Sequence, residues 1–312
     1  MTDRLSSRFV RLAWFALVVT TIVISTGALV RATESGAGCG ESWPRCDGAL
    51  IPVSTDAATV IEFTHRMATL ASSIAVGWLV LWALRAVGRH HRVGKAALAT
   101  AGFFVGEVAI GAFLVIFGWV DQDSSVGRLV VVPLHLVNTF LLLGAITLVA
   151  RWASGRPSIE WRGAARRPVA IAIGGMMLIG ITGAWNALAD TLFPAESVLD
   201  ALRQEFGNSA ELLVRLRVVH PIVAIAVGLS LVWFVRRVRP LIDESARGFA
   251  RWVEYIVFGQ FVVGILNIAL LTPVEIQLVH LAVADALWVL VVLVAASALE
   301  KSTEPALVEA PA

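Results

Sequence analysis

Charge is what this chain has least of. Charged residues are 15% of its 312 positions and hydrophobic ones 58%, whereas a soluble domain is usually about 25% charged and about 45–50% apolar. That deficit excludes an ordinary soluble fold and leaves an integral membrane protein. A net charge of +2 gives no nucleic-acid footprint, because the arginines cluster between hydrophobic runs and not along one surface. Polar residues midway through those runs are sparse, which argues against a transporter. Cysteine is limited to Cys39 and Cys46.

What the chain does have is apolar runs of roughly 20 residues, the length that crosses a bilayer core. They recur near 12–32, 63–84, 97–118, 130–150, 169–189, 216–235, 253–271 and 277–298, giving eight expected spans. Arg4, Arg8 and Arg11 precede the first run, and basic stretches follow the second, fourth and sixth. By the positive-inside rule both termini and the basic gaps are cytoplasmic. The first run is read as a span, not as a signal peptide ahead of a lipidated Cys39, because it is long and Gly36 stands where an aliphatic residue is usual.

The first four runs repeat in the last four. Thr26-Gly27-Ala28 answers to Thr182-Gly183-Ala184, His65 to His220, Glu107 to Gln260 and His135 to His280. An even number of spans per half gives the halves the same orientation. The expected fold is therefore all-α, with eight transmembrane helices as two pseudo-symmetric four-helix bundles in a parallel repeat. Residues 1–155 form the first half, with an outer cysteine loop at 33–61; residues 156–300 form the second, and 301–312 a disordered cytoplasmic tail.

Six histidines occur. His90 and His91 sit in a basic gap and read as solvated. His65, His135, His220 and His280 each lie a few residues inside the outer end of an even-numbered span, so the four share one depth near the outer face. Facing imidazoles in a helical bundle suit the axial positions of heme iron. Two per half fall short of the three or four ligands zinc takes. Each half is thus expected to hold one heme.

The halves differ in what flanks these ligands. Glu62 and Arg66 lie one helical turn from each other and beside His65, whereas the second half has Arg217 and Pro221 at those positions. A carboxylate next to the histidine can exchange protons, so the first half reads as the reacting site and the second as a fixed redox site. Cys39 and Cys46 lie in the loop that runs into Glu62. A disulfide is the natural reading on the oxidising side, either as a structural staple or as a redox pair, the second favoured by its place over the site.

Gly27-Ala28-Leu29-Val30-Arg31-Ala32-Thr33 with the Cys39 loop, Glu62-Phe63-Thr64-His65-Arg66, His135-Leu136-Val137-Asn138-Thr139, Thr182-Gly183-Ala184, Asp190-Thr191-Leu192-Phe193-Pro194, His220-Pro221 and Gln260 to Asn267 together resemble the heme A synthase family, in its one-cysteine-pair bacterial type. The resemblance covers nearly the whole chain. It implies an oxidoreductase that converts the C8 methyl of heme O to the formyl of heme A with water as oxygen source, for cytochrome oxidase biogenesis. It further implies heme b as cofactor on His220 and His280, substrate heme between His65 and His135, Glu62 as acid or base, and a Cys39–Cys46 disulfide. The implied partners are heme O, received from a heme O synthase (farnesyltransferase), the lipid bilayer and cytochrome oxidase assembly, with self-association left open. The implied location is the bacterial cell membrane. Glu107, where Gln would be expected, departs from the pattern, and so does the long acidic loop 119–128. A bis-histidine di-heme cytochrome b taking electrons from quinol is the competing reading.

Among secondary residues, Arg66 and Arg217 are candidates for heme propionates by charge-assisted bonds. Arg31, Arg128 and Arg215 are weaker ones. Trp43, Trp119 and Trp185 read as interface anchors, and Asn138 and Asn267 as interhelical bonds.

Overall fold

A helix begins where its first free N–H groups find an acceptor, and most long helices here have one. Ser6 caps α1 (Ser7–Ala32), Asp56 caps α2 (Ala57–Val87), His91 caps α3 (Arg92–Ile116) and Ser125 caps α4 (Val126–Ala153). Helix α5 (Arg166–Leu192) starts without a side-chain cap. After it come a short amphipathic helix α6 (Val198–Phe206), one turn α7 (Leu212–Arg215), a 3-10 turn (Leu216–Val218) and α8 (Val219–Val238). Asp243 caps α9 (Glu244–Ala269), and α10 (Val274–Ala298) follows Pro273. The computed structural model describes residues 4–40, 43–207 and 211–301; the expected tail, save Lys301, lies outside them.

Among the described residues, eight helical stretches are long and apolar enough to cross a membrane, α7 and α8 running together as Leu212–Leu241. They start earlier than the apolar runs do. Asp56 accepts from the Thr59 N–H, so α2 opens at Ala57 and not near 63, and Glu62 and His65 fall in its second and third turns. They are deeper in the helix than the sequence places them, because the Asp56 cap starts the helix ahead of the apolar run.

Helix α1 packs on α2 and α4, and α3 on α2 and α4; α5 packs on α8 and α10, and α9 on α8 and α10. Contacts of α4 with α5 and α10, and of α1 with α10, join these two rings of four. The fully buried large side chains, among them Phe9, Leu79, Leu143, Ile146, Met176 and Phe234, lie toward the end of the helices remote from the four histidines. The histidine end is filled mainly by half-buried residues. One end is close-packed as a protein interior normally is, and the other is open.

Three contacts tie the rings together. Pro133 lacks an N–H and so leaves the carbonyl four residues earlier, Leu129, without its helical donor. The Trp185 indole N–H from α5 takes that carbonyl at 2.9 Å, so Trp185 is an interhelical bond here and not only an interface anchor. Trp288 stacks on Phe140 with centroids 5.4 Å apart and donates to its carbonyl. Arg31 donates from α1 to Ala187 O, Thr191 Oγ1 at 2.6 Å and Gln277 Oε1 at 2.8 Å.

Candidate functional site

His65 stands on α2 and is held from α1. Thr26 Oγ1 is 3.0 Å from His65 Nδ1 and also 2.9 Å from the Val23 carbonyl. A hydroxyl has one proton. Donating it to Val23, Thr26 can only accept from the ring, so Nδ1 carries the proton and Nε2 keeps a free lone pair. Gly27 leaves room for the ring, since a Cβ there would sit 3.0 Å from His65 Cε1.

The same device recurs in the second ring. Thr182 Oγ1 donates to the Leu178 carbonyl at 3.1 Å and lies 3.2 Å from His220 Nδ1, while a Cβ on Gly183 would meet His220 Cε1 at 3.1 Å. Locking one ring nitrogen so that the other can bind a metal is the usual arrangement behind a ligating histidine. Both repeats of the Thr-Gly-Ala motif thus present an imidazole with Nε2 available.

The partner histidines are held differently. Glu107 Oε2 on α3 stands 2.5 Å from His135 Nδ1, off the ring N–H direction. The other oxygen, Oε1, accepts from Asn138 Nδ2 at 2.7 Å and from Thr139 Oγ1 at 3.1 Å. In the second ring Gln260 donates to the His280 carbonyl at 3.0 Å, and His280 Nδ1 is buried with no hydrogen-bond partner among the described residues. His220 and His280 face each other, rings 6.4 Å apart and nearly perpendicular. Free Nε2 atoms, an unpartnered ring nitrogen and an open helix end together fit a bis-imidazole heme site.

Glu62 exists only in the first ring and is held on every side. It is 3% exposed. Arg66 donates to its Oε1 through Nε at 3.1 Å and through a second, shorter bond, and the Cys39 N–H donates to its Oε2 at 2.6 Å. Arg66 also reaches the Arg45 carbonyl at 2.6 Å. Cys39 and Cys46 are joined in a disulfide, so the loop that closes over Glu62 is stapled on itself. Gly38 lets it dock, since a Cβ there would lie 2.4 Å from the Ala58 backbone. The loop 119–128 supports it from behind, with Asp121 Oδ1 accepting from the Gly36 N–H at 2.8 Å.

Other candidates have partners within the protein. Arg217 is 5% exposed, pairs with Asp190 at 3.1 Å and donates to the Ala189 carbonyl at 2.6 Å. Arg128 braces its loop through the Asp121 and Asp123 carbonyls. Asn138 bonds across to Phe103 O at 2.8 Å, as expected, but Asn267 Oδ1 is buried without a partner among the described residues. Sequence reasoning passed over Asp285, 1% exposed on α10 with neither carboxylate oxygen hydrogen-bonded among the described residues. A single acid in an apolar span was the available signal.

Eight apolar helices long enough to cross a bilayer define a multi-pass membrane protein, with two pairs of histidines toward one end and Glu62 on the helix of only one pair. The model of the cytochrome oxidase assembly protein family (COX15-CtaA) matches residues 10–292, and the chain belongs to that family. It is 41% identical over 303 residues, 96% of the chain, to half of a Thermus thermophilus protein named Protoheme IX farnesyltransferase. It is 32% identical over 142 residues, 45% of the chain and 44% of the relative, to the Heme A synthase of Lysinibacillus sphaericus. A Staphylococcus aureus Heme A synthase shares 35% over 141 residues, again 44% of each. The chain spans about half the length of the curated relatives it matches.

Proposed function

We propose that this chain is a heme A synthase, an oxidoreductase that takes heme O between His65 and His135 and oxidises its C8 methyl to a formyl group, the oxygen coming from water. The observation that carries the reading is the unequal pair of sites: the same Thr-fixed histidine occurs in both rings, and only one has a buried carboxylate beside it. Relatives named Heme A synthase support it. The farnesyl transfer in the name of the Thermus relative is not carried over, because that protein is about twice the matched length. Its name fits a substrate received from a heme farnesyltransferase.

In this reading residues 1–155 form the substrate half and residues 156–300 the half that holds heme b on His220 and His280. Both sites lie near the outer face of a bacterial cell membrane, with the termini in the cytoplasm. When bound, heme b supplies one-electron redox capacity. Glu62 acts as acid and base at the methyl carbon or the attacking water, its carboxylate aimed by Arg66 and by the Cys39 N–H. The stapled loop keeps bulk water out while admitting the reacting one. Arg66 and Arg217 would share their five N–H donors between their present carboxylates and heme propionates. The product serves cytochrome oxidase biogenesis.

The test is to express the chain in cells that make heme O but no heme A, then extract and identify the hemes. Heme A, or its hydroxymethyl precursor, is expected beside one tightly held heme b. Two permanent b hemes with no oxidised product would favour a cytochrome that carries electrons from quinol.

A further inference from the structure

The mechanism leaves one buried acid unused. Asp285 sits on α10 in the wall of a cavity of about 690 Å³ between α1, α9 and α10. That volume lies within the range of about 300–1,000 Å³ typical of sites for small organic ligands. Leu17, Ile22, Leu278 and Leu290 make the walls mainly aliphatic, and Thr21, Ser25 and Thr26 add hydroxyls.

Those hydroxyls are already used as donors. Thr21 donates to the Leu17 carbonyl at 3.1 Å, Ser25 to Thr21 O at 3.2 Å and Thr26 to Val23 O at 2.9 Å. The α1 hydroxyls therefore offer acceptor lone pairs to the cavity, and Asp285 stands in its wall with both oxygens buried and without a hydrogen-bond partner among the described residues. A buried carboxylate without a donor is costly. The matching ligand therefore brings hydroxyl donors on an apolar body, and a protonated Asp285 would equally serve its keto form.

Position narrows the class. Thr26 lines the cavity and holds His65, while Leu278 and Ala282 line it from the face of α10 opposite His280. The cavity lies at the joint of α1 and α10, where the two rings of helices meet. We infer that it binds an isoprenoid quinone, a two-electron, two-proton carrier with a hydrocarbon tail, as the electron acceptor of the reaction. This rests on the heme-oxidising reading above.

The balance closes. Oxidising the methyl to a hydroxymethyl group breaks a C–H bond, forms a C–O bond to a water oxygen and releases two electrons and two protons. The quinone takes up both pairs by forming two O–H bonds. A second quinone does the same for oxidation to the formyl level. Asp285 donates to a keto oxygen when protonated and accepts from a quinol hydroxyl when ionised.

The test uses the full chain in lipid nanodiscs with an azido-decylbenzoquinone photolabel. Labelled peptides should come from residues 17–29 and 278–290, with decylubiquinol competing. Asp285→Leu should cut labelling about tenfold or more, the effect of losing a charge-assisted hydrogen bond. Ala282→Trp, which fills the cavity and leaves the acid in place, should do the same if the first variant does not fold. Reoxidation of the dithionite-reduced protein by decylubiquinone should slow about tenfold in Asp285→Asn, with heme content unchanged. Labelling elsewhere, or equal in the variants, overturns the inference. So does displacement of the label by heme O but not heme B, which would make the cavity a seat for the substrate's tail, and so does recovery of phospholipid that decylubiquinone fails to displace. Labelling needs no turnover, so labelling without heme A synthesis would sink the proposed function alone.

Discussion

The two rings of helices carry one ligand scaffold with different surroundings. Thr26, Gly27 and His65 on one side, and Thr182, Gly183 and His220 on the other, repeat the same contacts to within a few tenths of an ångström. Around them the first ring adds Glu62, Arg66, Glu107 and a stapled loop. The second has Arg217 turned to Asp190 and Gln260 turned to a backbone carbonyl. In the proposed reading the shared scaffold makes two places for a heme, and the added carboxylates make one of them a place for chemistry. A bis-imidazole site needs only geometry, whereas proton transfer needs an ionisable group within reach.

The strongest way to break this comparison is to remove ligands on one side only. His220→Ala and His280→Ala are each expected to abolish the resident bis-histidine spectrum of the purified protein, and His65→Ala to leave it in place. An unchanged spectrum in both second-ring variants would refute the division of roles. Glu62→Gln should leave heme b content unaltered and reduce heme A formation by about 10²–10⁴, the usual contribution of a positioned acid or base. Normal product in that variant would place the chemistry elsewhere.

A finer cut removes only the hydroxyl that fixes the ring. Thr182→Val should weaken heme b retention about 10–100-fold, as loss of the group behind a ligating histidine generally does. Thr26→Val should do this only to the exchangeable heme, as read by titration of each site. Equal effects at both sites would show that the rings are not independent.

Two smaller effects probe the joints. Trp185→Phe should cost about 1 kcal/mol by orphaning the Leu129 carbonyl. The cost should be smaller with Pro133→Ala, which restores a donor inside α4, so that a double-mutant cycle in thermal unfolding is non-additive. At the other end of the molecule Arg156 pairs with Asp243. Burial alone would raise the Asp243 pKa, but hydrogen bonds from Arg156, the Ala246 N–H and Ser245 outweigh it and hold it at about 2. A carboxyl held below its unfolded value of about 3.9 stabilises the fold above that pH and loses its contribution as pH falls toward 2. Because the pair is solvent-exposed, the effect should stay under about 1 kcal/mol. It should appear as a Tm difference between wild type and Asp243→Asn at pH 5 that shrinks as pH falls toward 2 and closes below it.

Much of the site was legible because membrane helices make polar residues rare. Four histidines and one Glu-x-x-His-Arg stretch stand out from an apolar background, and their repetition marks them as a set. The bonds of Thr26 and Thr182 were not legible. The Thr-Gly-Ala repeat signals that they matter, but which ring nitrogen they meet depends on how α1 lies on α2 and α5 on α8. Glu107 looked like a deviation until α3 placed it against His135. Arg217 read as a candidate for a propionate, and only the fold shows Asp190 beside it as well.

The sequence by itself determined the eight spans, the four histidines as candidates and the asymmetry between Glu62 and Arg217. All of these follow from periods and spacings along one chain in a solvent that penalises every polar group. Only the tertiary structure decided which nitrogen of His65 and of His220 is free, that the disulfide loop rests on Glu62, that Trp185 takes the carbonyl Pro133 releases, and that Asp285 stands in a cavity wall with no donor for it among the described residues. Each of these is a contact between residues far apart in the chain, fixed by the packing of whole helices.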